Sequence, residues 1–391
     1  MAVEQNYPQS LTRRNFLIKS TFFLATVGYV GLRSNDILEE VSSPLHSDLQ
    51  ILPPQFQAPP SLRGIAVNFP YLTSWLEYPG ILGEILRSAT EIGAVYIRAF
   101  PSKKSETELG KYEYGYLENI AYLSERFPLQ VEIIDGYPIF HSEKWSPSYS
   151  PTVPESPYLI KENGDLKAQR LAIFHDGRAR ESLVAREYEV ARFFRDVPGV
   201  IALSIGNEIE PPTESHEEAQ ELMAELYPLL VQAAREGASN KPLLSGVADP
   251  TLVPDGLGLI DTLHIYPEFF SNKFEGIMAR LRSHPRSTPM ICQEIGYPSV
   301  LKLNDREIPI PFHDRLRAGF IDRTLAKFVE INAQDRWKRL QLDGVVLWRL
   351  TFDGNPHKDG FGIIPAHALA TMETISSWQR FFKSSPANNA A

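Results

Sequence analysis

From Leu62 onward, short apolar runs alternate with longer stretches in which apolar residues recur at helical spacing. Short apolar runs bounded by turn residues fit strands buried on both faces, and a 3.6-residue period fits a helix with one face on a core. The runs predict eight strands, over 63–68, 94–100, 129–135, 200–206, 242–247, 259–265, 289–294 and 344–348. Helices are predicted over 80–92, 116–126, 182–195, 274–282, 315–331 and 368–382. One more follows the fourth strand: Ser215 with Glu218 three residues on is a capping box, and Leu222, Leu226, Leu229 and Ala233 continue at helical spacing. Gly237 stands where that helix would stop, and Pro228 inside it predicts a kink. After the fifth strand, Pro250 to Gly258 is too short and too rich in Pro and Gly for a helix.

A strand-helix unit repeated eight times over 61–391 predicts a single α/β domain, a (β/α)8 TIM barrel. The competing fold, an open doubly wound sheet, usually carries a Gly-rich turn after its first strand; Asn68-Phe69-Pro70-Tyr71 stands there instead. The long insertion from His141 to Gly177, after strand three, would overhang the C-terminal mouth of a barrel, where active sites lie. Tyr137, Trp145, Tyr149 and Tyr158 in and before it are candidates for stacking on a substrate at that mouth, although an individual loop aromatic is more often local packing.

The chain ahead of this domain reads differently. Thr12-Arg13-Arg14-Asn15-Phe16-Leu17-Ile18-Lys19 resembles the twin-arginine export motif, and the apolar stretch from Ser20 to Leu32 is short for a membrane span. Residues 1–32 are therefore expected to be an export signal, directing the protein to the periplasm or beyond. Left uncleaved, 16–32 would anchor it to a membrane. Residues 33–60, with Ser, Pro and Gln and no sustained period, read as a linker.

The charge of −9 and the lack of a basic run in the body of the chain argue against nucleic acid as a partner. One cysteine, Cys292, excludes an intramolecular disulfide, and its apolar neighbours predict a buried role. Nine histidines show no metal-binding spacing, so neither a metal nor another cofactor is expected. No phosphate-binding glycine loop or serine-hydrolase elbow is present.

Two carboxylates stand out by position. Glu208 ends the fourth strand in Ile205-Gly206-Asn207-Glu208, and Glu294 ends the seventh in Ile291-Cys292-Gln293-Glu294. Taken singly, each reads as an exposed loop acid. As a pair at the tips of parallel strands they face each other across a barrel mouth, the arrangement glycosidic hydrolysis needs: one carboxyl protonates the leaving oxygen, the other attacks or activates water.

These residues resemble those of glycoside hydrolase clan A, the retaining barrels with acid/base on strand four and nucleophile on strand seven. Asn207-Glu208 looks like the clan's strand-four pair. By that resemblance Glu208 is the acid/base, Asn207 holds a sugar 2-hydroxyl and Glu294 is the nucleophile. Glu294-Ile295-Gly296-Tyr297-Pro298-Ser299 is similar to family 17, as is the region from Phe352-Asp353 to Phe361-Gly362-Ile363. His264-Ile265-Tyr266 looks like the His-x-Tyr of family 5, whose tyrosine hydrogen-bonds the nucleophile, and Arg98 matches that family's strand-two arginine. Trp348 matches the strand-eight tryptophan that floors the sugar subsite. The family 5 histidine after strand three is missing from Ile134-Asp135-Gly136-Tyr137-Pro138, which leaves the family open. The resemblance implies retaining hydrolysis of a β-linked oligosaccharide or polysaccharide. A transglycosylase on the same site and a non-catalytic glycan-binding barrel are the alternatives.

Overall fold

The computed structural model describes residues 58–69, 76, 79–100, 113–133, 173–175, 177–211, 213, 215–267, 273–283, 286, 288–298, 300–303, 306–309, 312–333, 342–348, 363 and 368–384. The expected export signal and linker up to residue 57, the aromatic residues of 137–158 and nearly all of 352–363 lie outside these residues.

The elements run in order β1 (Gly64–Phe69), α1 (Pro79–Glu91), β2 (Ile97–Ala99), α2 (Glu113–Ser124), β3 (Leu129–Glu132), α3 (Gly177–Phe194), β4 (Val200–Ser204) and α4 (His216–Gly237). They continue with β5 (Leu243–Leu244), β6 (Asp261–Ile265), α5 (Lys273–Ser283), β7 (Met290–Ile295), β8 (Val300–Leu303), β9 (Arg306–Pro309), α6 (His313–Ala333), β10 (Leu342–Leu347) and α7 (Leu369–Ser384). Eight strands pair in parallel in the order β5-β4-β3-β2-β1-β10-β7-β6. Leu244 bridges Ile260 just ahead of β6, with Ser245 N donating to Ile260 O and Ile260 N to Leu243 O, both at 2.9 Å. The ring is thereby closed. The fold is the (β/α)8 barrel that the sequence predicts, and the remaining two strands, β8 and β9, form an antiparallel pair that it did not announce.

The local signals work as their chemistry requires. Ser215 caps α4 by accepting from Glu218 N at 3.0 Å, and Pro228 lies within the helix. Gly237 ends it where a β-carbon would come within 2.6 Å of Tyr188 O, so close packing on α3 demands glycine as much as helix termination does. After β5 only a 3-10 turn, Pro250–Leu252, capped by Asp249, occupies the helix position.

Strand alternation divides the buried residues into two sets. Val67, Ile97, Val131, Leu203 and Cys292 face outward into the apolar layer beneath the helices. Ala66, Tyr96, Ala202, Leu244, Ile291 and Val346 fill the barrel floor with Ala58 and Leu62, which plug it from below. Burial pushes the Cys292 thiol up, consistent with the packing role expected of it. Above the floor lies a polar interior layer: Asn68, Arg98, Gln130, Glu132, Ser204, Thr262 and Gln293 are all fully buried. A layer of this kind is stable only if its groups pair with one another.

Asp343 ties the plug to the floor by accepting Ala58 N at 2.8 Å. Burial raises its carboxyl to about 7, against smaller opposing effects of that hydrogen bond and Arg63. An unfolded aspartate ionises near about 3.9. Between about pH 4 and pH 7 the folded chain therefore holds a proton that the unfolded chain has lost, and stability falls as pH rises through that window, by up to about 1.4 kcal/mol per unit. Asp343→Asn, which keeps an acceptor for Ala58 N, is expected to flatten this slope in urea midpoints measured from pH 4 to 8. An unchanged slope would assign it to another group.

Candidate active site

The polar layer is organised around Arg98. It extends from the centre of β2 with its side chain fully buried, and each guanidinium nitrogen has a defined acceptor. Nε donates to Glu132 Oε1 at 2.5 Å; Nη1 donates to Glu294 Oε1 at 2.7 Å and, at longer range, to Asn68 Oδ1 and Gln293 O; Nη2 donates to Asn207 Oδ1 at 2.7 Å. The guanidinium also lies 4.5 Å from the Phe100 ring centroid. Burial opposes the arginine's charge, but Glu132 and Glu294 outweigh it and hold Arg98 above its ordinary range. The cation is thus permanent in this site.

Glu294 reaches the interior through a break in β7 regularity. Pairing with β6 runs Leu263↔Cys292 and then His264↔Glu294, and pairing with β10 skips in the same place, so β7 carries one extra residue there. Such a bulge re-aims side chains. Cys292 faces the helices, whereas Gln293 and Glu294 both bond inward. Gln293 Nε2 donates to Glu132 Oε1 at 2.9 Å, and the Glu294 side chain, 4% exposed, is held on one oxygen by Arg98 and on the other by the Tyr266 hydroxyl. Burial, then the negative charge of Glu294, raises the Tyr266 phenol well above its usual range, so it remains a donor.

Glu208 stands opposite. Its side chain is 41% exposed, and its backbone takes a left-handed φ of 53° while Glu208 N donates to Gly246 O at 2.9 Å. Gly246, itself at φ +71°, has no room for a β-carbon, which would overlap Gly206 O. The missing β-carbon of Gly246 lets the β4 and β5 ends approach next to Glu208. The next acid, Glu210, serves a different end: its Oε1 accepts the Ala248 and Asp249 amides at 2.6 and 3.0 Å.

His264 joins the two acids. Its Nδ1 lies 2.8 Å from Glu208 Oε1 and 3.5 Å from Glu294 Oε2. Burial would lower its pKa, but Glu294, and then the hydrogen bond and charge of Glu208, raise it above the ordinary histidine value. One oxygen of Glu208, one of Glu294 and a His264 nitrogen lie within 4.8 Å of one another. Among the described residues this is the grouping with metal-ligand spacing, but both Glu294 oxygens already accept from Arg98 and Tyr266. Trp348 follows β10, donates its backbone N–H to Ile295 O at 2.9 Å, and meets Phe100 edge-on with ring centroids 5.8 Å apart.

All seven residues singled out in the sequence, Arg98, Asn207, Glu208, His264, Tyr266, Glu294 and Trp348, therefore lie on the strands or at the C-terminal strand ends of one barrel. Asn68, Glu132 and Gln293 were not anticipated. Glu132 had a signal: Leu129-Gln130-Val131-Glu132 alternates strictly, which puts Gln130 and Glu132 on one face of a strand.

No family model and no curated protein sequence matches the chain. Solved structures do. An endo-1,4-β-D-mannanase of Thermotoga petrophila is 13% identical over 81% of this chain and 99% of its own, with a TM-score of 0.52. An endo-1,4-β-mannanase of Rhizomucor miehei, 13% identical, covers 86% of this chain and 100% of its own at 0.53. Endo-glycoceramidase II of Rhodococcus sp., 14% identical, covers 83% and 81% at 0.54. At these identities the likeness is one of fold, and the fold shared with these enzymes is the (β/α)8 barrel expected from the clan A resemblance.

Proposed function

We propose that this protein is a retaining glycoside hydrolase acting on a β-linked glycan, with Glu294 as nucleophile and Glu208 as acid/base. The observation that carries the reading is the pair of carboxyl groups with oxygens within 4.8 Å across a barrel mouth, each in a different environment. Retaining pairs lie about 5 to 5.5 Å apart, whereas inverting pairs leave about 6.5 to 9.5 Å for a water.

The environments assign the roles. Glu294 is buried, and its two oxygens accept from a permanent cation and from a phenol, which fix the carboxyl group in place. Glu208 faces solvent, where it can exchange protons, and His264 orients it. In the first step a Glu294 oxygen attacks the anomeric carbon as the glycosidic bond breaks, and the Glu208 proton goes to the departing oxygen. The product is a glycosyl ester on Glu294. Glu208, now a carboxylate, takes a proton from water, which attacks the same carbon and releases Glu294. Asn207, its carbonyl fixed by Arg98, presents its amide away from the guanidinium toward the sugar 2-hydroxyl, and Trp348 floors the subsite.

The test is turnover of β-mannan, β-1,4-glucan, β-1,3-glucan and aryl β-glycosides, with the anomer first released followed by NMR. Release of the β-anomer from at least one of these is expected. An α-anomer as first product would overturn the retaining assignment, and transfer to added sugar acceptors in preference to water would make the protein a transglycosylase on the same site. Intact binding without any turnover would make it a glycan-binding barrel.

A further inference from the structure

Arg98 bridges two fully or nearly buried carboxyl groups, Glu132 through Nε and Glu294 through Nη1; burial raises the Glu132 carboxyl, and the charge of Arg98 is the first of the effects that oppose it. Glu132 lies two residues beyond Gln130, the register partner of Arg98 in β3, and so on the same inward face. The Glu132 oxygen facing Arg98 also accepts from Gln130 Nε2 at 3.1 Å and from Gln293 Nε2 at 2.9 Å. The carboxylate is therefore gripped by three donors from β2, β3 and β7, and it grips Arg98 in turn. Its position is below the mouth, out of reach of a substrate.

We propose that Glu132 is a positioning residue for the glycosyl-transfer step: it locks the Arg98 guanidinium and, by sharing its charge, sets how tightly that charge holds Glu294. This rests on the reading of Glu294 as nucleophile. A carboxylate held by a whole undivided cation is a poorer nucleophile and a better leaving group than one that shares the cation with a second anion. Glu132 therefore favours formation of the glycosyl ester at some expense to its breakdown. A purely structural role for Glu132 would act on both steps alike.

That asymmetry supplies the test. Glu132→Gln keeps the shape and an acceptor for Arg98 Nε while removing the charge. On an aryl β-glycoside with a poor leaving group, where ester formation limits, kcat is expected to fall about tenfold, because the undivided charge of Arg98 then holds Glu294 more tightly. On the matching dinitrophenyl β-glycoside, where ester breakdown limits, kcat is expected to rise. Glu132→Ala, which frees Arg98 to move, is expected to lose about 100-fold on both substrates. If Glu132→Ala does not fold, Glu132→Gln alone decides. Equal losses on both substrates in Glu132→Gln, or no change in that variant while Glu294→Ala is inactive, would overturn the proposal. An active Glu294→Ala would overturn the functional reading beneath it instead.

Discussion

Glu294→Ala is expected to lower kcat on every glycoside by about 10^4-fold or more, because no glycosyl ester can form without the attacking oxygen. The loss should not track leaving-group quality, since the missing bond is needed whatever departs. The fold should survive: Arg98 keeps Glu132, Asn68 and Asn207 as acceptors, and the Tyr266 hydroxyl lies at the mouth, where water can replace Glu294. Azide supplied to this variant can occupy the space of the lost side chain and attack the anomeric carbon directly. The glycosyl azide formed is then of inverted configuration. Near-native activity in Glu294→Ala, with thermal unfolding unchanged, would remove Glu294 from the chemistry.

Glu208→Ala is expected to fail in a different way. On a natural glycan the leaving oxygen departs unprotonated, and the loss of general acid catalysis should cost about 10^2- to 10^4-fold. On a dinitrophenyl glycoside no proton is needed for departure, so the ester on Glu294 forms at close to the native rate. Its hydrolysis lacks a base. A burst of dinitrophenol followed by a slow steady state is the expected trace, with the glycosyl ester on Glu294 visible by mass spectrometry. Azide needs no base and should restore turnover, yielding a glycosyl azide of retained configuration. If azide rescues neither variant and the burst is missing, the division of labour between the two glutamates is wrong.

The barrel was legible because parallel strands buried on both faces leave continuous apolar runs, and all eight runs became strands with bounds shifted by a few residues. Glu208 and Glu294 were legible because each terminates such a run. What the sequence hid has physical causes. The β7 bulge inserts one residue without disturbing Met290-Ile291-Cys292, so the pattern does not say that Gln293 and Glu294 both turn inward. Glu132 sits in a four-residue strand whose polar alternates resemble a solvated face, and only barrel closure makes that face the interior. The antiparallel pair Val300–Leu303 and Arg306–Pro309 left a weak trace, two short segments separated by Asn304-Asp305, a turn-forming pair. In the sequence Arg98 reads only as a match to the family 5 strand-two arginine. Its branching to Glu132 and Asn207 depends on three strands meeting, which no local pattern encodes.

The left-handed backbone at Glu208 sets folding and chemistry against each other. A side chain with a β-carbon in that region costs about 1 to 2 kcal/mol, which glycine avoids and asparagine largely does. Selection for thermal robustness alone would thus drift toward Gly or Asn at 208, erasing the acid while improving the scaffold. Under the acid/base role proposed for Glu208, the reaction and not the scaffold keeps a glutamate there, so a barrel of this kind that has lost its activity is expected to carry Gly or Asn at this position.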